Sequence, residues 1–466
     1  MELHFLDTGP PRFLQLSVLV AVQGTFDRAK GPVIFDQLLT AWPILKSRMN
    51  LLRTGMLSET DTTSFWQERT VDAEMTSYIP LQVLKKGELS ESQHNMLQEL
   101  MKFPHSLKSL LYPPVICARV VFFKDGWMLK FTMQHAFADA TGVYNIAMGF
   151  FALLRGETLY PIEARPLKLL IGGSRPDHTQ MNRANSAQLT NQILHATREG
   201  YVSGWPGVVC YALLQWLLRI IRRRNPRSKK TMHIPRSIID VLQHSAKKRQ
   251  INVNRHDLLT AIIFQAAMNT FPGGTRGKDV QFGLNVNVND SLERGADLHN
   301  AWYPVTIPRP NQQTEGSLED KLVELAAHIR QVAQAAQTVV CMQAFLQYYE
   351  VLDRSGPIYP RSLNPHKANI IVSCCSHLPA YCTSFPTVNG RKAFPCFFQG
   401  GAELSDLFTF FGLSYNDLVA TWADRDRGFY FYGSLHHELW TELEQLRACL
   451  SPFAYSFTNG SVELGL

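Results

Sequence analysis

Residues 131–142 read Phe131-Thr132-Met133-Gln134-His135-Ala136-Phe137-Ala138-Asp139-Ala140-Thr141-Gly142. The patterns on either side set their surroundings. Val115 to Phe123 reads as a strand, Lys124-Asp125-Gly126 as a tight turn, and Trp127 to Met133 as the return strand. From Thr141 to Leu154, the residues Val143, Ile146, Ala147, Phe150 and Leu154 fall on one helical face. His135 and Asp139 therefore sit on the link between a strand end and a helix start. There a side chain can face a cleft while its backbone is held rigidly. An imidazole can remove a proton from a hydroxyl or amine near neutral pH. A carboxylate a few residues on can fix the loop, by pairing with a distant Arg or with backbone N–H groups. The spacing alone equally describes a satisfied histidine closing a strand.

Outward from this stretch, Phe13 to Val22 reads as a strand. Val33 to Met49 reads as a helix with Ile34, Leu38, Ala41, Trp42 and Leu45 on one side, interrupted or bent at Pro43. Residues 55–112 carry no clear pattern. From about 155 to 204 the pattern fades into a long connection, with Gly172-Gly173-Ser174-Arg175-Pro176 and a polar run to Asn191. The pattern returns at Asn254-Arg255-His256-Asp257. Asn254 is a good N-cap for the helix that follows, and Asp257 can answer it three residues on. Gln281 to Val288 alternates as a strand, Leu318 to Ala335 is helical, and Asn369 to Ser373 is another strand. Gly428 to Leu435 is the last strand and His436 to Leu450 the last helix.

The 466 residues suffice for one large core or two medium ones, and 45% hydrophobic with 18% charged residues suits a packed globular protein rather than a disordered one. Met1-Glu2-Leu3-His4 has neither a basic nor an apolar leader segment, so a secretory signal is not expected. The eight cysteines, at 117, 210, 341, 374, 375, 382, 396 and 449, form no Cys-x-x-Cys pair. Neither a metal site nor a disulfide framework is expected, and reduced thiols in the cytosol fit best. The formal charge of +7 is concentrated between 219 and 230, in Arg219, Arg222, Arg223, Arg224, Arg227, Lys229 and Lys230; the remainder is neutral. That excludes a generally basic nucleic-acid binder. The apolar run Val208 to Ile221 precedes these cations and is shorter than the roughly 20 residues a bilayer requires. It fits a helix packed on the body, or a membrane-surface helix with Trp216 at the interface and 208–230 making a peripheral contact. No Gly-x-Ser-x-Gly, P-loop or Gly-x-Gly-x-x-Gly occurs. His256, His377, His436 and His437 lack a carboxylate at comparable spacing in a strand-end setting.

His-x-x-x-Asp at 135–139, after a strand in a chain of this length, resembles the HxxxD acyltransferase superfamily. That superfamily includes the BAHD acyltransferases, the fungal trichothecene O-acetyltransferases and the condensation domains of peptide synthetases. Further stretches are similar to it in the same order. Pro43-Ile44-Leu45-Lys46-Ser47-Arg48 resembles "P-x-L-x-x-R", 254–261 resembles "S-x-x-D-x-L-x-A", and Ala326-Ala327-His328-Ile329-Arg330 resembles "A-x-x-I-R". There are departures. Ala140 stands where most relatives have Gly. Asn289 occupies the position of the strand Arg that pairs with the family Asp, so Asp139 is left to Asn289, Arg294 or backbone donors. Ser373-Cys374-Cys375-Ser376-His377-Leu378-Pro379 and Ser384-Phe385-Pro386-Thr387-Val388 stand for "S-W-x-x-x-P" and "D-F-G-W-G", with only Phe385 kept from the second.

The resemblance implies an α/β fold of the chloramphenicol-acetyltransferase type. Two similar halves, 1–204 and 205–466, would each be a mixed sheet with helices, and a channel would run between them. It implies His135 as general base and Asp139 as loop support, with Ser373, Ser376 or Asn289 as oxyanion or loop partners. No cofactor is implied; acyl-CoA is a co-substrate. The acceptor is a small, apolar specialised metabolite offering a hydroxyl or amine. The protein is expected to be cytoplasmic and monomeric. Two alternatives stay open: a relative that cyclises or condenses, or takes its donor from an acyl carrier protein, and a non-catalytic binder of an apolar metabolite.

Overall fold

The computed structural model describes residues 14–50, 55–58, 62, 65–79, 88–103, 112–159, 191, 201–203, 227–271, 279–287, 302–308, 316–338, 341–342, 344–345, 358–360, 367–375, 385–386, 392–393, 395–404, 417–424 and 428–460. Two mixed sheets dominate it. The first is built from β1 (Leu14–Gln23), β2 (Trp66–Thr70), β3 (Ile116–Phe122) and β4 (Gly126–Gln134). The second is built from β5 (Arg227–Ile234), β6 (Asp279–Asn287), β7 (Trp302–Ile307), β8 (Lys367–Cys374), β10 (Asp417–Asp424) and β11 (Gly428–His436), and β9 (Pro395–Leu404) joins the first. The spatial orders are β9-β1-β4-β3-β2 and β7-β6-β8-β10-β11-β5. Each sheet mixes parallel and antiparallel neighbours: β2 runs parallel to β3, and β8 runs parallel to both β6 and β10.

Period-two alternation makes the first sheet apolar on both faces. Leu16, Val18, Val20 and Val22 of β1 join Trp127, Leu129, Phe131 and Met133 of β4 in one cluster. Helices α1 (Lys30–Ala41) and α3 (Ala140–Leu154) cover that face, and the rings of Phe131 and Phe150 meet edge to face at 5.4 Å. Leu19, Ala21 and Met128 point the other way, against Leu97 and Leu100 of α2 (Glu91–Leu100) and against Met75 and Ile79. The β3–β4 turn is tight because a side chain at Gly126 would meet the Val22 carbonyl at 2.6 Å, and Asp125 Oδ1 anchors it by accepting the Met75 N–H at 2.6 Å.

The second sheet lays one face on helices α4 (Arg236–Lys248), α5 (Arg255–Thr270), α6 (Leu318–Ala336) and α7 (His437–Gly460). Phe429 and Phe431 of β11, Phe282 of β6 and Val372 of β8 fill that cluster. The alternate β11 residue Tyr430 packs instead with the first sheet's cluster, as do Ala420 and Cys375. Tyr432 faces the His94 ring of α2 at 5.4 Å between centroids. The two sheets therefore share a seam.

A second seam covers the edge strand β5. Leu89 and Thr231 exchange backbone hydrogen bonds of 3.3 and 3.1 Å, which caps an edge that would otherwise be open. His94 Nε2 lies 3.0 Å from Thr231 Oγ1. Glu88 accepts from the His233 N–H and from Arg447, whose guanidinium also reaches the His233 carbonyl at 3.0 Å.

Several sequence expectations need correction. The early helix ends at Ala41. Pro43–Lys46 is a short 3-10 turn and Ser47–Asn50 an extended segment, because Pro43 cannot continue the α-helical ladder. Of the basic run, only Arg227, Lys229 and Lys230 fall among the described residues. Arg227, Lys229 and Lys230 lie on β5, where Lys230 meets Glu444 at 3.5 Å and Lys229 sits over the Tyr432 ring. His436 ends β11 rather than opening the last helix. The boundary at 204/205 and the segment 208–226 lie outside the described residues. Among the described residues no helix is long and apolar enough to cross a membrane.

Candidate active site

His135 follows the last residue of β4 directly, in a turn closed by the Phe137 N–H donating to the Gln134 carbonyl at 3.0 Å. Asp139 is the N-cap of α3. Its extended backbone (φ −83°, ψ −174°) lets Oδ1 accept the Gly142 N–H at 3.0 Å, while its carbonyl takes the Val143 N–H. Between them, Ala136, Phe137 and Ala138 are buried, and Phe137 and Ala138 belong to the α1–α3 cluster. The link is thus held at three points: the strand end, the core beneath it, and the cap. His135 and Asp139 are each 5% exposed, so both sit out of bulk water. A carboxylate at a helix N-terminus also meets the positive end of the helix dipole.

Ser373 lies near the end of β8, beside Ala420 in register and with Oγ 3.8 Å from Cys375 Sγ. Cys375 continues the ladder by donating its N–H to the Thr421 carbonyl at 2.9 Å. Cys375 and Ala420 share the cluster that holds Phe137, Ala138 and Val143. The fold thus brings the Ser373 strand end and the His135 link to the border of one hydrophobic seam. Ser376, Asn289 and Arg294 lie outside the described residues. Among the described residues, no three His, Cys, Asp or Glu side chains gather as a metal site.

Two motifs that look separate in sequence form one unit. Asn254 and Asp257 make a reciprocal capping box on α5, at 2.9 and 2.8 Å, and Arg330 of α6 pairs with Asp257 at 3.2 Å. Burial pushes the Asp257 carboxyl up from its ordinary value, while the Asn254 N–H and the Arg330 guanidinium pull it back.

Sequence reasoning passed over two residues on the strand that leads to His135. Thr132 and Gln134 look like the solvent-facing positions of an alternating strand. They are buried, and Thr132 Oγ1 and Gln134 Oε1 have no hydrogen-bond partner among the described residues. The available signal was the pattern itself: the face that holds Met128 turns polar at Lys130, Thr132 and Gln134 on the approach to the histidine.

No protein-family model matches the chain, and no curated protein matches it by sequence. Solved structures do. The F. sporotrichioides TRI101 protein, complexed with coenzyme A and T-2, superposes with a TM-score of 0.62 at 14% identity, over 96% of this chain and 96% of that one. Vinorine synthase gives 0.58 at 13% identity, over 96% and 93%. The starter condensation domain of rhizomide synthetase RzmA, an arginine-to-alanine mutant bound to C8-CoA, gives 0.52 at 15% identity, over 97% and 92%. Two mixed sheets joined at a seam, with His135 and Asp139 on the link after β4, thus stand in a chain that shares the fold of TRI101, vinorine synthase and this condensation domain.

Proposed function

We propose that the chain transfers an acyl group from an acyl-CoA thioester to a hydroxyl or amine of a small molecule. His135 removes the acceptor's proton as its oxygen or nitrogen attacks the thioester carbonyl. The tetrahedral intermediate then collapses, the C–S bond breaks, and the thiolate leaves with the proton from His135. Both substrates are held together, so proximity supplies much of the rate and no acyl-enzyme is required. Asp139 acts on the backbone: its cap to Gly142 keeps the link, and so the imidazole, in place. Ser373 or Ser376 would donate to the developing oxyanion, with Asn289 as a partner of Asp139. No resident cofactor takes part.

One observation carries this reading. A buried imidazole stands on a backbone fixed at both ends, at the seam of a fold of which two solved examples are complexed with coenzyme A or C8-CoA. A channel along that seam would admit donor and acceptor from opposite faces. The condensation domains among the similar structures favour a second reading, in which the donor arrives on a carrier protein and His135 serves a condensation.

The test is thiol release from acetyl-CoA in the presence of a panel of hydroxylated and aminated acceptors. His135→Ala should lower the rate by about 10²- to 10⁴-fold with the unfolding profile kept. An unchanged rate in the folded variant would sink the general-base role. Release only from a carrier-bound donor would select the second reading.

A further inference from the structure

On β4, Phe131 and Met133 pack into the α1–α3 cluster, so alternation turns Thr132 and Gln134 to the opposite face. Near the hairpin that face holds Met128, against Leu97 and Leu100. Toward His135 it becomes polar. Gln15 stands opposite Gln134, and Ser17 and Cys117 flank Thr132 on the neighbouring strands. This is not a solvent face: Gln15, Thr132 and Gln134 are 9%, 7% and 2% exposed. Thr132 Oγ1 and Gln134 Oε1 are left without a partner among the described residues. In a ligand-free protein, a buried orphan acceptor costs stability and returns nothing to the fold. Groups kept at such a cost cluster at functional sites. Gln134 immediately precedes His135, and Thr132 lies about 7 Å further back along the strand, within the length of one small molecule.

We propose that Thr132 and Gln134 are specificity-determining residues that take hydrogen bonds from a hydroxyl or amide N–H of the molecule bound beside His135. The inference rests on the acyl-transfer reading and sharpens it. Aromatic content points to an apolar acceptor, whereas these two atoms require a ligand with a polar donor group close to the reacting position. Two sources carry that chemistry: a second hydroxyl on the acceptor, or an amide in the arm of the thioester donor.

The test uses Thr132→Val and Gln134→Met, which keep volume and remove the orphan atoms. Thermal unfolding is read without ligand. Binding is then read with CoA, and with cyclohexanediol against cyclohexanol. Each variant is expected to unfold about 1–2 °C higher than wild type. Affinity should fall about tenfold for one probe. Loss for CoA assigns the contact to the donor's arm; loss of the preference for the diol assigns it to the acceptor. A lower unfolding temperature in both variants overturns the proposal, since the two atoms then serve the fold. Unchanged binding of both probes overturns it as well. A wild type that binds no CoA would instead remove the acyl-CoA reading, while the unfolding comparison and the diol arm would still decide the role of these residues.

Discussion

Beside each of the two large sheets a helix starts with a buried aspartate, and the two aspartates are used differently. Asp257 is 6% exposed and answers Asn254 in a capping box while pairing with Arg330 from a second helix. It ties two helices together. Asp139 is 5% exposed and caps α3 through Gly142, four residues after a histidine that the hairpin delivers to the same link. The first node is a fastening inside one helical layer. The second fixes the backbone of a residue that has chemistry to offer. A buried carboxylate at a helix start is thus not in itself a mark of function; what precedes it on the chain is.

The largest expected difference between the nodes is catalytic. His135→Ala should lower thiol release by at least about 100-fold, whereas His256→Ala, at the start of α5, should leave it within about twofold. Equal losses would dissolve the distinction. Next in size is stability. Arg330→Met leaves a buried charge with less compensation and should cost about 1–3 kcal/mol in urea unfolding, with little effect on kcat in the protein that remains folded. Asp139→Ala should cost about 1 kcal/mol for the lost cap and lower kcat through a loosened link, while Asp139→Asn should keep both nearly intact, since Asn caps as well as Asp. A loss of activity in Asp139→Asn without loss of stability would show that the charge itself matters.

The smallest effect is on pH dependence. The folded Asp257 carboxyl is raised, so the native state holds its proton to a higher pH than the unfolded chain does. That contribution favours the fold at low pH and is lost as pH rises through the raised value. Relative to wild type, Asp257→Asn should therefore gain stability as pH climbs out of the acid range, and stay level above it. A difference that is flat, or of opposite sign, across that range would mean that Arg330 dominates over burial.

Where local pattern and tertiary role agree, the sequence was readable. The hairpin, the helix from 140 to 154 and the Asn254 cap all announce themselves within about twenty residues. Other elements are set by partners far along the chain. β9, at Pro395–Leu404, pairs with β1 across nearly 400 residues, and its Gly400-Gly401 dilutes any strand signal. β5 hides behind Arg227, Lys229 and Lys230, cations suited to an edge strand but read as a surface run. α2 is short and mostly polar: a Ser90–Gln93 capping box starts it, and only His94, Leu97 and Leu100 mark its buried face. The placement of His135 and Asp139 on the link between strand and helix was legible because their spacing is local. Thr132 and Gln134 were not, because only the fold reveals that an ordinary polar strand face is buried.

The most direct test of the central claim is calorimetric titration of CoA and acetyl-CoA into wild type and His135→Ala. The proposed mechanism expects both ligands to bind both proteins with similar affinity, because His135 moves a proton rather than holding the thioester. Absence of binding to wild type, or its abolition by His135→Ala in a folded protein, would contradict a CoA-dependent transfer with His135 as its base.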